Sequence, residues 1–401
     1  MKPLDGMRVL DLSRVLAGPW ATQSLADLGA EVIKVEQPGS GDDTRHWGPP
    51  WHEHEGKRVA AYFLAANRGK KSVAIDFSTA EGAALVRAMA ADSDVLVENF
   101  KVGGLAKFGL DAASLRAANP RLIYASISGF GQDGPYARRA GYDYIIQAMG
   151  GLMSVTGLPD GEPGGGPVRA GVAVADLFTG MYTANAILAA LHRREKSGEG
   201  ATIDMALFDT QLAMLANQAS NALVSGKDPV RQGAGHPNIV PYQVFAARDQ
   251  AIVIAVGNDG QFARFAALLG HAEWARDPAF ATNAARVAAR DRLVPAIAAI
   301  IAARPAAEWL ALLEQQGIPA GPINSVLQAL SDPQAVFRGM QVSAGGGALG
   351  PVAMVGSPIR LDGERINSAL PPPALGEHGD LLGEWIGAGE LERLRGAGIV
   401  G

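Results

Sequence analysis

Short apolar runs alternate with longer alanine-rich segments throughout the first half of the chain. The runs of strand length are RVLDLS, AEVIKVEQP, KSVAIDF, DVLVENF and LIYASISGFG. Runs this apolar are typical of strands whose two faces are both buried. Helices between consecutive strands favour parallel pairing, because parallel strands need a long crossover connection. The pattern therefore predicts an α/β fold in which helices cover both faces of a parallel sheet.

Capping residues mark several helix boundaries. Thr79 is predicted to be the N-cap of the helix that follows KSVAIDF. A longer helix is predicted over 177–196, because basic residues accumulate near its end and Gly198 follows. Parallel sheets bind ligands beyond the carboxyl ends of their strands. Candidate site residues should therefore follow the strands, in segments 13–18, 37–45 and 99–100.

Composition changes near residue 226, where a strand–helix pattern gives way to a Gly- and Pro-rich loop. Residues 226–331, which hold one clear strand and several alanine-rich helices, are predicted to form a smaller domain. Residues 1–200 are predicted to form the first part of a large domain, and 201–225 a linker helix. The remaining residues, 332–401, contain more turns and end in a helix.

Charge and residue usage exclude several classes of function. The 401 residues carry a formal net charge of −5 without a block of like charges, so we expect no nucleic-acid partner. There is no cysteine, and the seven histidines form no HExxH motif, so we expect no metal site. The segment WHEHEGKR is interpreted as a solvated loop. Without a signal-peptide pattern or an uninterrupted apolar run of membrane-spanning length, we expect a soluble cytoplasmic protein with no membrane partner.

One carboxylate stands out. Asp176 lies in the small, apolar stretch PVRAGVAVADLFTGMYTA, where a charge costs free energy unless it is paired, hydrogen-bonded or used. Its position directly before the predicted helix favours an N-cap, which also profits from the helix dipole. A carboxylate at such a place can equally act as a nucleophile toward an activated acyl group. The two roles are compatible, and the residues alone leave both open.

Three further residues each have a functional and a structural interpretation. Arg45, after the loop PGSGDD, could bind a carboxylate in bidentate fashion or form an ordinary salt bridge. Tyr142 in AGYDY could orient a carboxylate or donate to an oxyanion, or it could be a partly buried structural tyrosine. His236, in a loop rich in Gly and Pro, could bind substrate or simply form part of a turn.

Nearly the whole chain resembles the family III (CaiB/BaiF) coenzyme A transferases. The resemblance rests on an ordered set of motifs, each weak alone: LDGMRVLDLSRVLAGPWATQSLADLGAEVIKVEQPGSGDDTR, NRGKKSVAIDF, DVLVENF, YASISGFGQDGP, AGYDY, VADLFTG, HPNIVPYQVF, GIPAGPINSV and PPPALGEH. It implies a Rossmann-like large domain built from both chain ends, a smaller inserted α+β domain and an interlocked homodimer. It also implies CoA thioester as co-substrate, a carboxylic acid as acceptor, and no permanently bound cofactor.

The family's nucleophile is an aspartate that falls on Asp176. The resemblance implies that it attacks the donor thioester and passes through an aspartyl anhydride and an aspartyl–CoA thioester. The CoA-contacting positions of the family fall on Val15, Ala17, Gln37, Ile75, Asn99, Phe100, Lys107 and Phe108.

Departures from the motifs narrow the substrate. Leu16 replaces a glutamine found in formyl-CoA transferases, whose glycine-rich flap is also absent, so formate and oxalate are disfavoured. Tyr142 stands where the α-methylacyl-CoA racemase branch has a catalytic histidine. The likeness is strongest to succinyl-CoA-dependent dicarboxylate transferases of glutarate type, with Arg45, Tyr142 and His236 as substrate-binding residues. A racemase-type isomerase and a non-catalytic CoA-binding protein are the alternatives.

Overall fold

The computed structural model describes all 401 residues, which divide into two compact units. Unit 1 comprises Met1–Leu152, Ala170–Ser220 and Pro333–Gly401, and unit 2 comprises Met153–Arg169 and Asn221–Asp332. The predicted small domain, 226–331, omits the segment 153–169, which the structure assigns to unit 2.

A six-stranded parallel sheet forms the centre of unit 1. The strands of the first 206 residues are β1 (Arg8–Asp11), β2 (Glu31–Glu36), β3 (Trp51–His54), β4 (Lys57–Ala60), β5 (Lys70–Ala74), β6 (Val95–Glu98), β7 (Ile123–Ser128) and β8 (Ala201–Ala206). Six of these strands form the sheet, in the order β5-β2-β1-β6-β7-β8, and every neighbouring pair is parallel. The strands β3 and β4 pair only with each other. This confirms the predicted parallel sheet.

Helices cover both faces of this sheet, because its strands are apolar on both. The helices up to residue 225 are α1 (Ala17–Asp27), α2 (Ala61–Ala65), α3 (Ala80–Ala91), α4 (Ala112–Ala118), α5 (Asp143–Met149), α6 (Leu152–Val155), α7 (Val174–Ser197), α8 (Leu207–Met214) and α9 (Asn217–Ser225). Val9 belongs to the core shared with α1 and α7, whereas the next residue, Leu10, belongs to the core shared with α3. Successive strand residues thus serve opposite faces.

Two predicted helix ends are confirmed. The Thr79 side chain accepts a hydrogen bond from the Gly82 amide, and Gly198 ends α7 in the left-handed conformation. Two other predictions are wrong. Residues 201–225 are not one linker helix, because the alternating segment 201–206 pairs with β7 as β8 and only then do α8 and α9 follow. The segment WHEHEGKR is not a loop but most of the antiparallel hairpin β3–β4.

Unit 2 is built around three antiparallel strands with helices packed against them. Its later elements are β9 (Tyr242–Ala246), β10 (Ala251–Ala255), α10 (Asp259–Leu268), α11 (Asn283–Ala288), α12 (Arg290–Ile301), α13 (Ala306–Gln315), β11 (Ala320–Pro322) and α14 (Val326–Leu330). Aromatic residues such as Phe245, Phe262 and Trp309 fill its core.

The last part of the chain belongs to unit 1. It contains α15 (Pro333–Phe337), β12 (Gln341–Ala344), β13 (Val352–Val355), β14 (Arg360–Leu361), β15 (Glu364–Arg365) and α16 (Gly383–Gly396). Leu391 and Leu394 of α16 complete the core on the face of the sheet that α3 covers.

Helix α7 is the one helix long and apolar enough to cross a membrane, with 24 residues and a mean hydropathy of 1.3 over its best 18-residue window. The core helices of water-soluble proteins share these properties. Ala175, Ile187 and Ala190 of α7 are buried in the core of unit 1.

Candidate active site

A cavity of about 510 Å³ lies in unit 1 at the carboxyl ends of β1, β6 and β7. Its walls come from the segments that follow these strands, from the loop before α5 and from the start of α7. The structure brings six of the predicted site residues to this cavity: Val15, Ala17, Asn99, Phe100, Tyr142 and Asp176. Such a crevice beyond the strand ends is where parallel sheets bind ligands.

Asp176 is the third residue of α7, so the N-cap interpretation of this residue is wrong. The helix begins at Val174, and its N-cap is Ala173, whose side chain makes no capping hydrogen bond. The Asp143 carboxylate takes over this function from another helix. Its Oδ1 accepts hydrogen bonds from the Ala175 amide at 2.8 Å and from the Asp176 amide at 3.3 Å. The Asp176 side chain is therefore not needed as a cap, and Asp176 lines the cavity.

The ionisation of Asp176 is set close to neutrality. Burial raises the pKa of this carboxyl, and the negative charge of Asp143 raises it further, to about 7. An ionised carboxylate with this pKa is a better nucleophile than that of an ordinary aspartate. Near neutral pH, half of the protein molecules carry Asp176 in the ionised form. Perturbed carboxyl groups in a cavity are common at catalytic sites.

Asp143 is itself held firmly. Its Oδ2 accepts a hydrogen bond of 2.6 Å from the buried Gln147 amide group, and the Gln147 oxygen in turn accepts from the Ala170 amide at 2.9 Å. Sequence reasoning missed this role, although Asp143 lies inside the motif AGYDY. The sequence feature that could have indicated it is a carboxylate directly after Tyr142, a residue already predicted to bind substrate.

Tyr62 of α2 is another residue that sequence reasoning did not select. Burial raises the pKa of its hydroxyl, as do the negative charges of Asp176, Asp143 and Asp42. Its ring lies edge-on to Trp47, with the centroids 5.2 Å apart. The Tyr62 phenol thus remains a neutral group in the electrostatic field of Asp176.

Glycines let the elements around the cavity approach one another closely. A Cβ on Gly180 of α7 would lie 2.6 Å from the Ala17 carbonyl oxygen, so α7 and the start of α1 pack directly backbone against backbone. A Cβ on Gly129 would lie 2.6 Å from the Cα of Gly141. These contacts hold Asp176, the segment after β1 and the loop before α5 around one space.

Four cations line the cavity: Arg14, Lys101, Arg138 and Arg139. Arg14 lies 3.6 Å from the Asp43 carboxylate and 5.1 Å from the centre of the Phe100 ring. The exposed Arg138 and Arg139 lie in the loop between β7 and α5. These groups suit anionic ligands such as phosphates and carboxylates. No group of three or more His, Asp or Glu side chains is placed to share a metal ion.

The prediction that Arg45 binds substrate is wrong. Its guanidinium makes a bidentate pair with Glu36, at 2.8 and 2.7 Å, and a third hydrogen bond of 3.1 Å to the Pro373 carbonyl. The side chain is only 6% exposed and lies 3.7 Å from the centre of the Phe63 ring. With its donors engaged in this way, Arg45 fixes the loop after β2 to β2 itself.

The alternative interpretation of Tyr142, as a partly buried structural tyrosine, is wrong, because the side chain is 64% exposed at the cavity. Its predicted part in substrate binding stays a prediction. The Ile75 side chain cannot contact CoA, because it is fully buried where Val400 forms a β-bridge over the end of β5. Gln37 is exposed, and with Ser78 it contributes to a lowered pKa of the Asp76 carboxyl.

The remaining predicted residues lie elsewhere. Lys107 and Phe108 line a separate cavity of about 600 Å³ in unit 1, bordered by α3 and α4. His236 belongs to unit 2, where its Nδ1 accepts a hydrogen bond of 3.1 Å from the Asn238 amide and its ring contacts Tyr242. Its part in substrate binding stays a prediction.

Comparisons with known proteins agree on one family. The profile of CoA-transferase family III matches residues 4–379. A succinate–glutarate CoA-transferase of Agrobacterium fabrum is 51% identical over 378 residues, covering 94% of each chain. A succinyl-CoA:glutarate CoA-transferase of Mus musculus is 43% identical, covering 100% of this chain and 91% of that protein.

A solved structure shows the same fold. The crystal structure of a CaiB/BaiF family protein from Brucella suis superposes with a TM-score of 0.84 at 51% identity, covering 97% of this chain and 99% of that one. A profile match over most of the chain, two relatives at this level of identity and a shared fold lead to one conclusion. The chain belongs to CoA-transferase family III and is a CoA-transferase.

Proposed function

We propose that the protein transfers CoA from succinyl-CoA to a dicarboxylic acid of glutarate type, with Asp176 as the nucleophile. The observation that carries the proposal is the position of Asp176, a carboxyl with a pKa of about 7 in the wall of the strand-end cavity. The choice of donor and acceptor is supported by the relatives from Agrobacterium fabrum and Mus musculus, both named for succinate or succinyl-CoA and glutarate.

The first half of the reaction removes CoA from its donor. The ionised Asp176 carboxylate attacks the thioester carbonyl, the carbon–sulfur bond breaks, and an aspartyl–succinyl anhydride and CoA thiolate result. The thiolate then attacks the aspartyl carbonyl of the anhydride. Succinate leaves, and an aspartyl–CoA thioester remains on the protein.

The second half repeats these steps in reverse order with the acceptor. A glutarate carboxylate attacks the aspartyl–CoA carbonyl and expels the thiolate, which gives an aspartyl–glutaryl anhydride. The thiolate attacks the glutaryl carbonyl, so that glutaryl-CoA forms and Asp176 is released as a carboxylate. No proton is taken up or lost over the cycle, so no general acid or base is required.

The cavity supplies what these steps need. Val15, Ala17, Asn99 and Phe100 are proposed to contact the thioester end of CoA, and Lys107, Phe108 and Gln37 more distant parts of it. Arg138, Arg139 and Tyr142 of the cavity are proposed to receive the phosphate and carboxylate anions, in place of Arg45. His236 of unit 2 remains a separate proposed substrate-binding residue. Exclusion of water by the packed walls would protect the anhydrides from hydrolysis.

A panel of acids offered with succinyl-CoA tests the substrate. Glutarate and dicarboxylates one or two carbons longer should accept CoA with a kcat/KM at least about 10-fold above that of butyrate or valerate. The reason is that a second carboxylate gains a charge-assisted hydrogen bond in the cavity. Product thioesters are quantified by liquid chromatography. If only monocarboxylates react, the proposed acceptor class is wrong.

The two alternative functions predict other products. A racemase-type isomerase would exchange the α-proton of an acyl-CoA for deuterium in heavy water without any acceptor acid. Tyr142 occupies the position of the base that such exchange would need. A non-catalytic protein would bind CoA thioesters and leave every acid in the panel unchanged.

We also infer that the protein is a homodimer. In each chain, the large domain contains residues from both chain ends. An apolar patch on α5 and α7 supports this inference, because each member is 45–57% exposed: Tyr144, Ile145, Phe178, Met181 and Tyr182. Contiguous exposed apolar surface marks interaction sites.

Light scattering should give about twice the chain mass of 41.6 kDa, and Met181→Glu should shift the protein toward monomer. Ala117→Glu, exposed on α4, is the matched control. A monomeric wild-type protein contradicts the inference.

A further inference from the structure

Val15, in the cavity wall, has a backbone conformation that valine rarely adopts. Its φ is +69°, in the left-handed region, and it is the one β-branched residue among the four non-glycine residues with positive φ. Such a conformation persists only where the surrounding structure fixes it.

Two side chains from other elements bind Arg14 and the peptide bond that joins it to Val15. The Asn99 amide group receives the Arg14 N–H at 2.8 Å and donates to the Arg14 carbonyl at 2.7 Å. The Asp42 carboxylate receives the Val15 N–H, at 3.2 Å to Oδ2 and 3.3 Å to Oδ1. Asn99 lines the cavity itself, whereas Asp42 lies behind the wall and is 1% exposed.

Asp42 is fixed in turn by a buried cation. Its Oδ2 lies 3.0 Å from Lys34 Nζ, and neither side chain is exposed to solvent. Its Oδ1 accepts from the Thr44 amide at 3.0 Å and from the Thr44 hydroxyl at 2.8 Å. Lys34 also donates to the Ser13 carbonyl at 2.7 Å, so one cation joins Asp42 to the same segment of backbone.

We propose that Asp42 is a positioning residue for CoA transfer: with Lys34 behind it, its carboxylate holds Val15 in the left-handed conformation and so fixes one wall of the cavity around Asp176. The proposal rests on the function proposed above. Without the Asp42 carboxylate, Val15 would relax to negative φ, and the peptide that joins it to Leu16 would rotate. A wall displaced in this way would no longer hold the thioester at the attacking carboxylate.

Glycine offers a test, because it adopts positive φ without steric cost. Asp42→Ala is compared in two backgrounds, wild type and Val15→Gly, as a double-mutant cycle. We expect Asp42→Ala to raise the KM for succinyl-CoA about 10-fold or more in the wild-type background. In the Val15→Gly background the same substitution should raise it less than about 3-fold, because the segment no longer needs to be held. An equal rise in both backgrounds would overturn the proposal and leave Asp42 a structural residue.

Controls separate positioning from folding. Asp42→Ala leaves the buried Lys34 without the carboxylate that pairs with it. If this variant fails to fold, the cycle is therefore repeated with Lys34→Met present in all variants. Asp27, paired with Arg68 at 2.6 Å and equally buried, is the matched control. Asp27→Ala should lower stability and leave the KM unchanged. An active Asp176→Ala protein would refute the nucleophile instead, whatever the cycle shows.

Discussion

Replacing Asp176 by asparagine is expected to lower kcat for CoA transfer by about 10⁴-fold or more. The amide has the size of the carboxylate but cannot attack a thioester, so both covalent intermediates are lost. The KM for succinyl-CoA should change little, because Asp176 is one of many groups in a cavity lined by residues of several elements. Steady-state kinetics at saturating succinyl-CoA and glutarate measure the loss.

The stability of the same variant provides its control. The pKa of Asp176 is higher in the folded protein than in the unfolded chain, so the folded state binds the proton more tightly. This group therefore lowers stability as pH rises from about 4 to about 7. At pH 8 the asparagine variant should be more stable than wild type by roughly 1–3 kcal/mol, and at pH 4 it should not be. A variant that is inactive because it is unfolded would not support the proposed role.

The rate of CoA transfer should fall steeply toward acid pH. Only the ionised carboxylate attacks, and its pKa of about 7 leaves about 1% ionised at pH 5. We expect kcat/KM for succinyl-CoA to be about 100-fold lower at pH 5 than on the plateau above pH 8, with an inflection near 7. A flat profile between pH 5 and 8 would contradict the raised pKa.

Asp143→Asn is the matched variant for this profile. Asparagine keeps an oxygen that can accept from the Ala175 amide, but it removes the negative charge that raises the pKa of Asp176. The inflection of kcat/KM on the acid side of the profile, the acid limb, should therefore move to lower pH. The variant should retain more of its maximal activity at pH 6 than wild type does. A limb that moves to higher pH, or does not move, would rule out the proposed electrostatic coupling.

The sheet could be predicted from the sequence because its strands carry continuous apolar runs separated by helices. The ends marked by local signals were predictable as well. Thr79 caps α3 through its own side chain, and Gly198 ends α7 because glycine adopts the left-handed conformation freely. In both cases the cause lies within a few residues of the effect.

The start of α7 and the role of Arg45 could not be predicted, because each depends on side-chain contacts that only the folded chain makes. Asp143 caps α7 from a position 32 residues before Ala175. Arg45 pairs with Glu36, nine residues earlier, and both side chains are buried, as are those of Lys34 and Asp42. Only the folded sheet shows that these side chains meet behind the cavity wall.

The most direct test of the account is to trap and map the covalent intermediate. The protein is incubated with succinyl-CoA, treated with hydroxylamine and digested, and the modified peptide is identified by mass spectrometry. A hydroxamate is expected on Asp176, dependent on succinyl-CoA and also present in Asp143→Asn. A hydroxamate on another residue, or none in a protein that transfers CoA at full rate, would contradict the claim that Asp176 is the nucleophile.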